Sequence, residues 1–181
     1  MTTARRKKRV QPRKYHYTIG LKLPKIIESG YIKLATAEVD LSKEKPAVFF
    51  SIDKLWEPTA NKALRKDGQL YFLTTDEMIK DYSPLIRIEV KPEAAPYKWD
   101  DYVRLSGIDK GLSKGLEKSA TKNGSTTDHF FISFKPVTKE QWLSIQILTD
   151  EKKWRIMSED EIQEYCKQQA PELFKSVKSG A

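Results

Sequence analysis

Tyr15-His16-Tyr17-Thr18, then Leu23-Pro24-Lys25-Ile26-Ile27-Glu28-Ser29, then Gly30-Tyr31-Ile32 is the stretch on which the fold reading turns. The first four residues are aromatic or β-branched and predict an opening strand. Leu23, Ile26 and Ile27 share one helical face, Pro24 fits a first turn, and Gly30 is placed as the stop. Tyr31-Ile32-Lys33-Leu34 alternates as a second strand. The chain therefore opens as strand, helix, strand.

Downstream the segments stay short. Ala47-Val48-Phe49-Phe50-Ser51 reads as a buried strand, and residues 59–65 have helical composition ahead of the Asp67-Gly68 turn signal. Residues 75–79 open acidic and helical, and residues 85–90 alternate as a strand. Residues 107–122 carry Ile108, Leu112 and Leu116 as a narrow helical stripe interrupted by Gly111 and Gly115. Residues 129–134 and 142–148 return to strand, with residues 153–157 as a pairing partner. Ser158-Glu159-Asp160-Glu161 is a capping box that starts a last helix, with Ile162, Tyr165 and Cys166 on one face. Such a pattern is α+β, with many short, mostly antiparallel strands.

At 181 residues the chain suits one domain with tails, and 39% hydrophobic against 32% charged residues excludes disordered and membranous classes. One cysteine excludes a disulfide framework, and with only two histidines it makes no Cys/His zinc site, so no metal is expected. No spanning run or secretory leader is visible, so a soluble, reduced, cytoplasmic protein without membrane attachment is expected. Of the net charge of +8, seven units lie in residues 1–14: Arg5, Arg6, Lys7, Lys8, Arg9, Arg13 and Lys14, with no acid among them. The organisation expected is a disordered basic arm over 1–14, one domain over 15–170 and a C-terminal tail over 171–181. The arm's charges suit nucleic acid through counterion release.

Phosphate-loop, dinucleotide-fold and nucleophile-elbow signatures are absent. Cys166 reads as a core residue and His129, beside Asp128, as a surface strand end. Arg104 suits either a bidentate clamp on a pyrophosphate or a pair with Asp100 or Asp101. Trp56, followed by Glu57 and Pro58, is placed as a core residue or a cleft lining. Taken alone, His16 reads as a structural histidine.

Three segments change that reading. The opening stretch resembles the start of ADP-ribosyltransferase-like domains, in which a His-Tyr-Thr strand precedes an LxxIIxxG helix and a strand. Residues 47–51 with Leu55-Trp56-Glu57-Pro58-Thr59 look like that superfamily's aromatic strand and adjoining segment. Lys135-Pro136-Val137-Thr138-Lys139-Glu140-Gln141-Trp142 lies where it places a catalytic glutamate. The resemblance is to the His-Tyr-Glu branch, and it implies two packed, mostly antiparallel sheets around a cleft with flanking helices. It further implies a mono-ADP-ribosyltransferase with NAD as co-substrate. His16 would orient the nicotinamide ribose and Glu140 would stabilise the transition state. Phe49 or Phe50 would stack on the nicotinamide, standing where the branch has a tyrosine. Thr18, Tyr31, Ser51, which resembles the strand serine of the superfamily's other branch, and Arg104 are further candidates for cofactor contact. The acceptor would be DNA, RNA or a nucleic-acid-associated protein. The alternative is a catalytically silent module of the same fold that binds nucleic acid or a partner protein through its arm.

Overall fold

The computed structural model describes residues 11–37, 39–82 and 84–174. The elements run β1 (Lys14–Ile19), α1 (Leu23–Ser29), β2 (Tyr31–Ile32), β3 (Val48–Ser51), β4 (Ala63–Lys66), β5 (Gln69–Phe72), α2 (Thr75–Tyr82), β6 (Leu85–Val90), β7 (Tyr97–Lys98), α3 (Trp99–Ser106), α4 (Lys110–Lys122), β8 (Phe130–Ser133), β9 (Val137–Thr138), β10 (Trp142–Leu148), β11 (Trp154–Ile156) and α5 (Glu159–Gln169). The fold is α+β, and every described strand pair is antiparallel. No helix among the described residues is long and apolar enough to cross a membrane.

Seven strands make one sheet in the order β11-β10-β6-β1-β3-β8-β7, and β2-β9 and β4-β5 are separate pairs. Two packed sheets were expected; the seven-stranded sheet is instead nearly parted in the middle. β1 pairs with β6 over its full length, from Lys14↔Val90 to Ile19↔Leu85, and β3 pairs with β8 over all four residues. Between β1 and β3 the register holds one pair, Tyr15↔Ser51. Past that pair the two half-sheets separate.

Period-two alternation sends the two faces of β1 and β6 to different cores. Ile86, Ile88 and Val90 join Phe50, Val137, Ile162 and Cys166 beneath α1 and α5. Tyr15, Tyr17 and Ile19 join Trp56, Met78 and Leu85 on the other side. α1 and α5 pack together, and Ser158 and Glu161 cap α5 reciprocally at 3.2 and 2.8 Å. Gly20 is required by close approach: a Cβ there would collide with the Tyr165 hydroxyl and the Pro84 ring.

Several boundaries differ from the sequence reading. Residues 59–65 are not a helix but a 3-10 turn, Pro58–Ala60, leading into the β4–β5 hairpin. Asp67 (φ 51°) and Gly68 (φ 77°) are both left-handed, the geometry a tight hairpin needs, and this local constraint overrides helical composition. The 107–122 helix starts only at Lys110, after Gly107 (φ 83°) closes α3 and the Asp109 carboxylate caps α4. Its stripe is not the core face: Leu112 and Leu116 are exposed, and Ser113 and Ala120 are buried. Pro171–Leu173 forms a 3-10 turn, and Phe174 packs on the larger core, so part of the expected tail is ordered.

Lys14 also departs from expectation, since it is the first residue of β1, not the last of an arm. Its side chain is buried, with Nζ donating to Pro92 O (2.6 Å) and Ala95 O (2.8 Å) over the Phe131 ring. A buried ammonium cannot reach a polyanion. Arg13 is exposed and sits 3.5 Å from Glu89, while Arg5, Arg6, Lys7, Lys8 and Arg9 lie outside the described residues.

Burial, then the like charge of Lys98, pulls Lys14 from its ordinary 10.5 down to about 8, against the opposing pull of Glu93. Between those two values the unfolded chain holds a proton that the folded chain has lost, so this group makes stability rise with pH across that window. Lys14→Met, which strands two carbonyls, is expected to lose about 2 kcal/mol at pH 7. Its deficit against the parent should widen from pH 8 to 10.5 in thermal melts. A deficit that narrows over that range would contradict this account.

Candidate functional site between the half-sheets

Where β1 and β3 part, the imidazole of His16 spans the gap. Its Nδ1–H donates to Phe49 O at 3.1 Å, and its ring meets Phe50 edge-on at 5.8 Å. Because the carbonyl can only accept, this bond selects the Nδ1–H tautomer and leaves Nε2 as an acceptor. Burial lowers the His16 pKa; the Phe49 carbonyl opposes that shift and Lys22 adds to it. The ring is therefore neutral at pH 7, a strand spacer with one free lone pair.

Two cavities meet at this ring. The smaller, about 230 Å³, is lined by Tyr15, Phe49, Ser51, Glu57 and Phe130 as well as His16. The larger, about 490 Å³, runs along α1 and β2 past Thr18, Lys22, Lys25, Tyr31 and Lys33. The first is walled by aromatic faces, the second rimmed by ammonium groups. Lys62 lies beside Lys22 outside the lining, and burial, then the charge of Lys22, pulls it down to about 8. Among the described residues none of these four lysines is in an ion pair. Unpaired like charges gathered at a concave surface suit an anion.

The floor of the smaller cavity is fixed from below. Three successive carbonyls after β3 accept side-chain donors from three different strands: Asp53 O from the Tyr17 hydroxyl, Lys54 O from Arg87 Nη1 (2.6 Å) and Leu55 O from Trp154 Nε1 (2.5 Å). Trp56 stacks on Trp154 with ring centroids 6.3 Å apart, and Tyr17 stands edge-on to both. Arg87 lies over Tyr15 and Trp154 at 4.0 and 4.5 Å and donates to Gln146 Oε1 at 2.8 Å. Trp56 Nε1 donates to Asn61 Oδ1 (2.6 Å), and Asn61 Nδ2 to Leu73 O (2.8 Å). This lattice leaves residues 53–57 a single path. Glu57 ends that path as the cap of the 3-10 turn, its Oε1 accepting from Thr59 N (3.1 Å) and Thr59 Oγ1 (2.8 Å).

The sequence candidates fall into two groups. His16, Phe49, Phe50 and Ser51 border the smaller cavity, and Thr18 and Tyr31 the larger. Phe49 keeps an exposed ring beside Tyr102 (5.1 Å), whereas Phe50 is enclosed in the core; Ser51 Oγ accepts from Asp53 N (3.1 Å). Arg104 is paired with Asp101 at 2.7 Å on the exposed side of α3 and borders neither cavity. Glu140 also borders neither. It is exposed in the turn after β9, where hydrogen bonding from the Thr138 side chain holds its carboxyl below the usual range. Burial pushes the Cys166 thiol up to about 11, a core sulfur. Glu57 is the residue that sequence reading passed over. Glu-Pro-Thr announces a capped turn, but only the fold brings it to His16. No three His, Cys, Asp or Glu among the described residues converge as a metal site.

Compared with family models, curated proteins and solved structures, the chain matches none.

The His16 assignment is open to direct measurement. Long-range ¹H–¹⁵N spectra should show the Nδ1–H tautomer, with half-protonation below pH 6.5. Because the unfolded chain protonates this residue first, stability should fall as pH drops through that region. An Nε2–H tautomer, or a titration at or above 6.5, would contradict the bridge to Phe49.

Proposed function

We propose that the protein binds NAD across the parting between β1 and β3 and transfers ADP-ribose to a macromolecular acceptor. The observation that carries this reading is the neutral, oriented His16 placed between an aromatic cavity and a lysine-rimmed one. A dinucleotide has the same polarity, with a flat ring at one end and a pyrophosphate near its middle. The smaller cavity falls below the ~300 Å³ at which drug-sized sites begin, so it suits a ring and not a whole dinucleotide. The resemblance of residues 15–32 and 47–59 to ADP-ribosyltransferase-like domains points the same way.

On this reading His16 Nε2 accepts from a hydroxyl of the nicotinamide ribose, and the exposed face of Phe49 stacks on the nicotinamide. Lys22, Lys25, Lys33 and Lys62 offset the pyrophosphate charge. The glycosidic C–N bond breaks with its electron pair leaving on the pyridinium nitrogen, which becomes neutral nicotinamide. Positive charge develops on the ribose carbon and its ring oxygen. An acceptor nucleophile then bonds to that carbon and releases its proton to water. His16 contributes by holding the ribose, a positioning effect that acts on both binding and turnover.

DNA, RNA or a protein bound to them is the acceptor class favoured by the charge of Arg5, Arg6, Lys7, Lys8 and Arg9. A silent module that binds nucleic acid through the same arm is the second reading, and Phe49 in place of a tyrosine is the observation in its favour. The two separate in one assay, nicotinamide release from NAD by the purified chain with and without DNA or RNA. Release is expected, with His16→Ala raising the KM for NAD and lowering kcat, each by about tenfold or more. A parent chain that releases no nicotinamide under any of these conditions would leave the silent module.

A further inference from the structure

Glu57 is 5% exposed, and its two carboxylate oxygens have different fates. Oε1 takes both Thr59 donors, while Oε2 is buried without a hydrogen-bond partner, and Glu57 is among the residues lining the smaller cavity. A buried carboxylate oxygen with no donor is costly. Structural capping accounts for Oε1 alone. The remaining walls include the aromatic side chains of Phe49, Phe130 and Tyr15, with no lysine or arginine among the lining residues. A negative oxygen and several π-faces around a small enclosed volume are complementary to a flat organic cation, which satisfies both at once.

We infer that Glu57, not Glu140, is the carboxylate of this site, and that the smaller cavity takes a cationic heteroaromatic ring of the pyridinium class beside the Glu57 carboxylate. This rests on the proposed function only for its last step, in which the same carboxylate faces the charge that develops on the ribose. Recognition of the cation stands on the cavity itself. Glu140 has none of these attributes: it is solvated and borders neither cavity.

The charge requirement gives a direct test with two small probes, N1-methylnicotinamide as the cation and nicotinamide as its neutral counterpart. Titrations followed by NMR should show the parent preferring the cation by about tenfold. Glu57→Gln keeps the Oε1 acceptor for Thr59 and should melt close to the parent, yet bind the two probes equally. In the parent itself, the N-methyl protons should show a nuclear Overhauser contact to the Glu57 side chain, a readout that does not depend on any variant folding. No preference for the cation, a preference that survives Glu57→Gln, or a bound cation without that contact overturns the inference.

NAD turnover separates this inference from the function it refines. Glu57→Gln should lower nicotinamide release by about two to three orders of magnitude, the scale of losing one preorganised electrostatic group. If that loss falls on Glu140→Gln instead, the assignment of Glu57 is overturned while ADP-ribosyl transfer stands. If the parent selects the cation through Glu57 but never releases nicotinamide from NAD, the function falls and the cation site stands.

Discussion

β1 and β3 are neighbours in the sheet yet share one register pair, Tyr15↔Ser51, and the rest of the site follows from that shortage. Each strand is fully committed on its other side, β1 to β6 and β3 to β8. The sheet can therefore part without losing its two halves. A parted edge inside a domain leaves backbone groups to satisfy, and the His16 imidazole meets that need at Phe49 O. The side chain that holds the gap is also the one whose remaining lone pair is available to a ligand. Holding the gap and leaving Nε2 free are thus one geometry.

The second constraint lies below the gap. Tyr17, Arg87 and Trp154 come from β1, β6 and β11, and all three spend their donors on the loop after β3. Loops are ordinarily the mobile part of a fold, and three consecutive carbonyls held by side chains from three strands make this one an exception. The arrangement fixes Glu57 to a rigid scaffold, which is what electrostatic preorganisation requires of a charged group. Arg87 also belongs to a buried chain of bonds through Gln146 to Glu89, so the loop's anchor is itself satisfied.

Much of this was legible in the residues. The β1–α1–β2 opening, the strands at 48–51, 85–90, 130–133 and 142–148, and the Ser158–Glu161 cap follow directly from local pattern and turn chemistry. Errors arose where a local cue competed with a longer-range one. Helical composition in 59–65 yielded to the left-handed pair Asp67-Gly68, and the Leu112–Leu116 stripe was left facing solvent. Lys14 looked like one more arm cation because nothing local says that the carbonyls of Pro92 and Ala95 await its ammonium. His16, Thr18, Tyr31 and Phe49 were named through the resemblance to ADP-ribosyltransferase-like domains, and the fold sets them along the two cavities. Glu57 was not, because its distinguishing property is a missing partner, and a missing partner exists only in three dimensions.

The central claim is that the parting between β1 and β3 is a ligand cleft whose two sides close on one molecule. Hydrogen–deuterium exchange with and without saturating NAD tests it most directly. Slower exchange is expected in residues 15–18, 49–51 and 56–60 together with 21–35, while α4 and β11 stay unchanged. Unaltered exchange at both 15–18 and 49–51, or protection confined to segments away from the parting, would contradict the account.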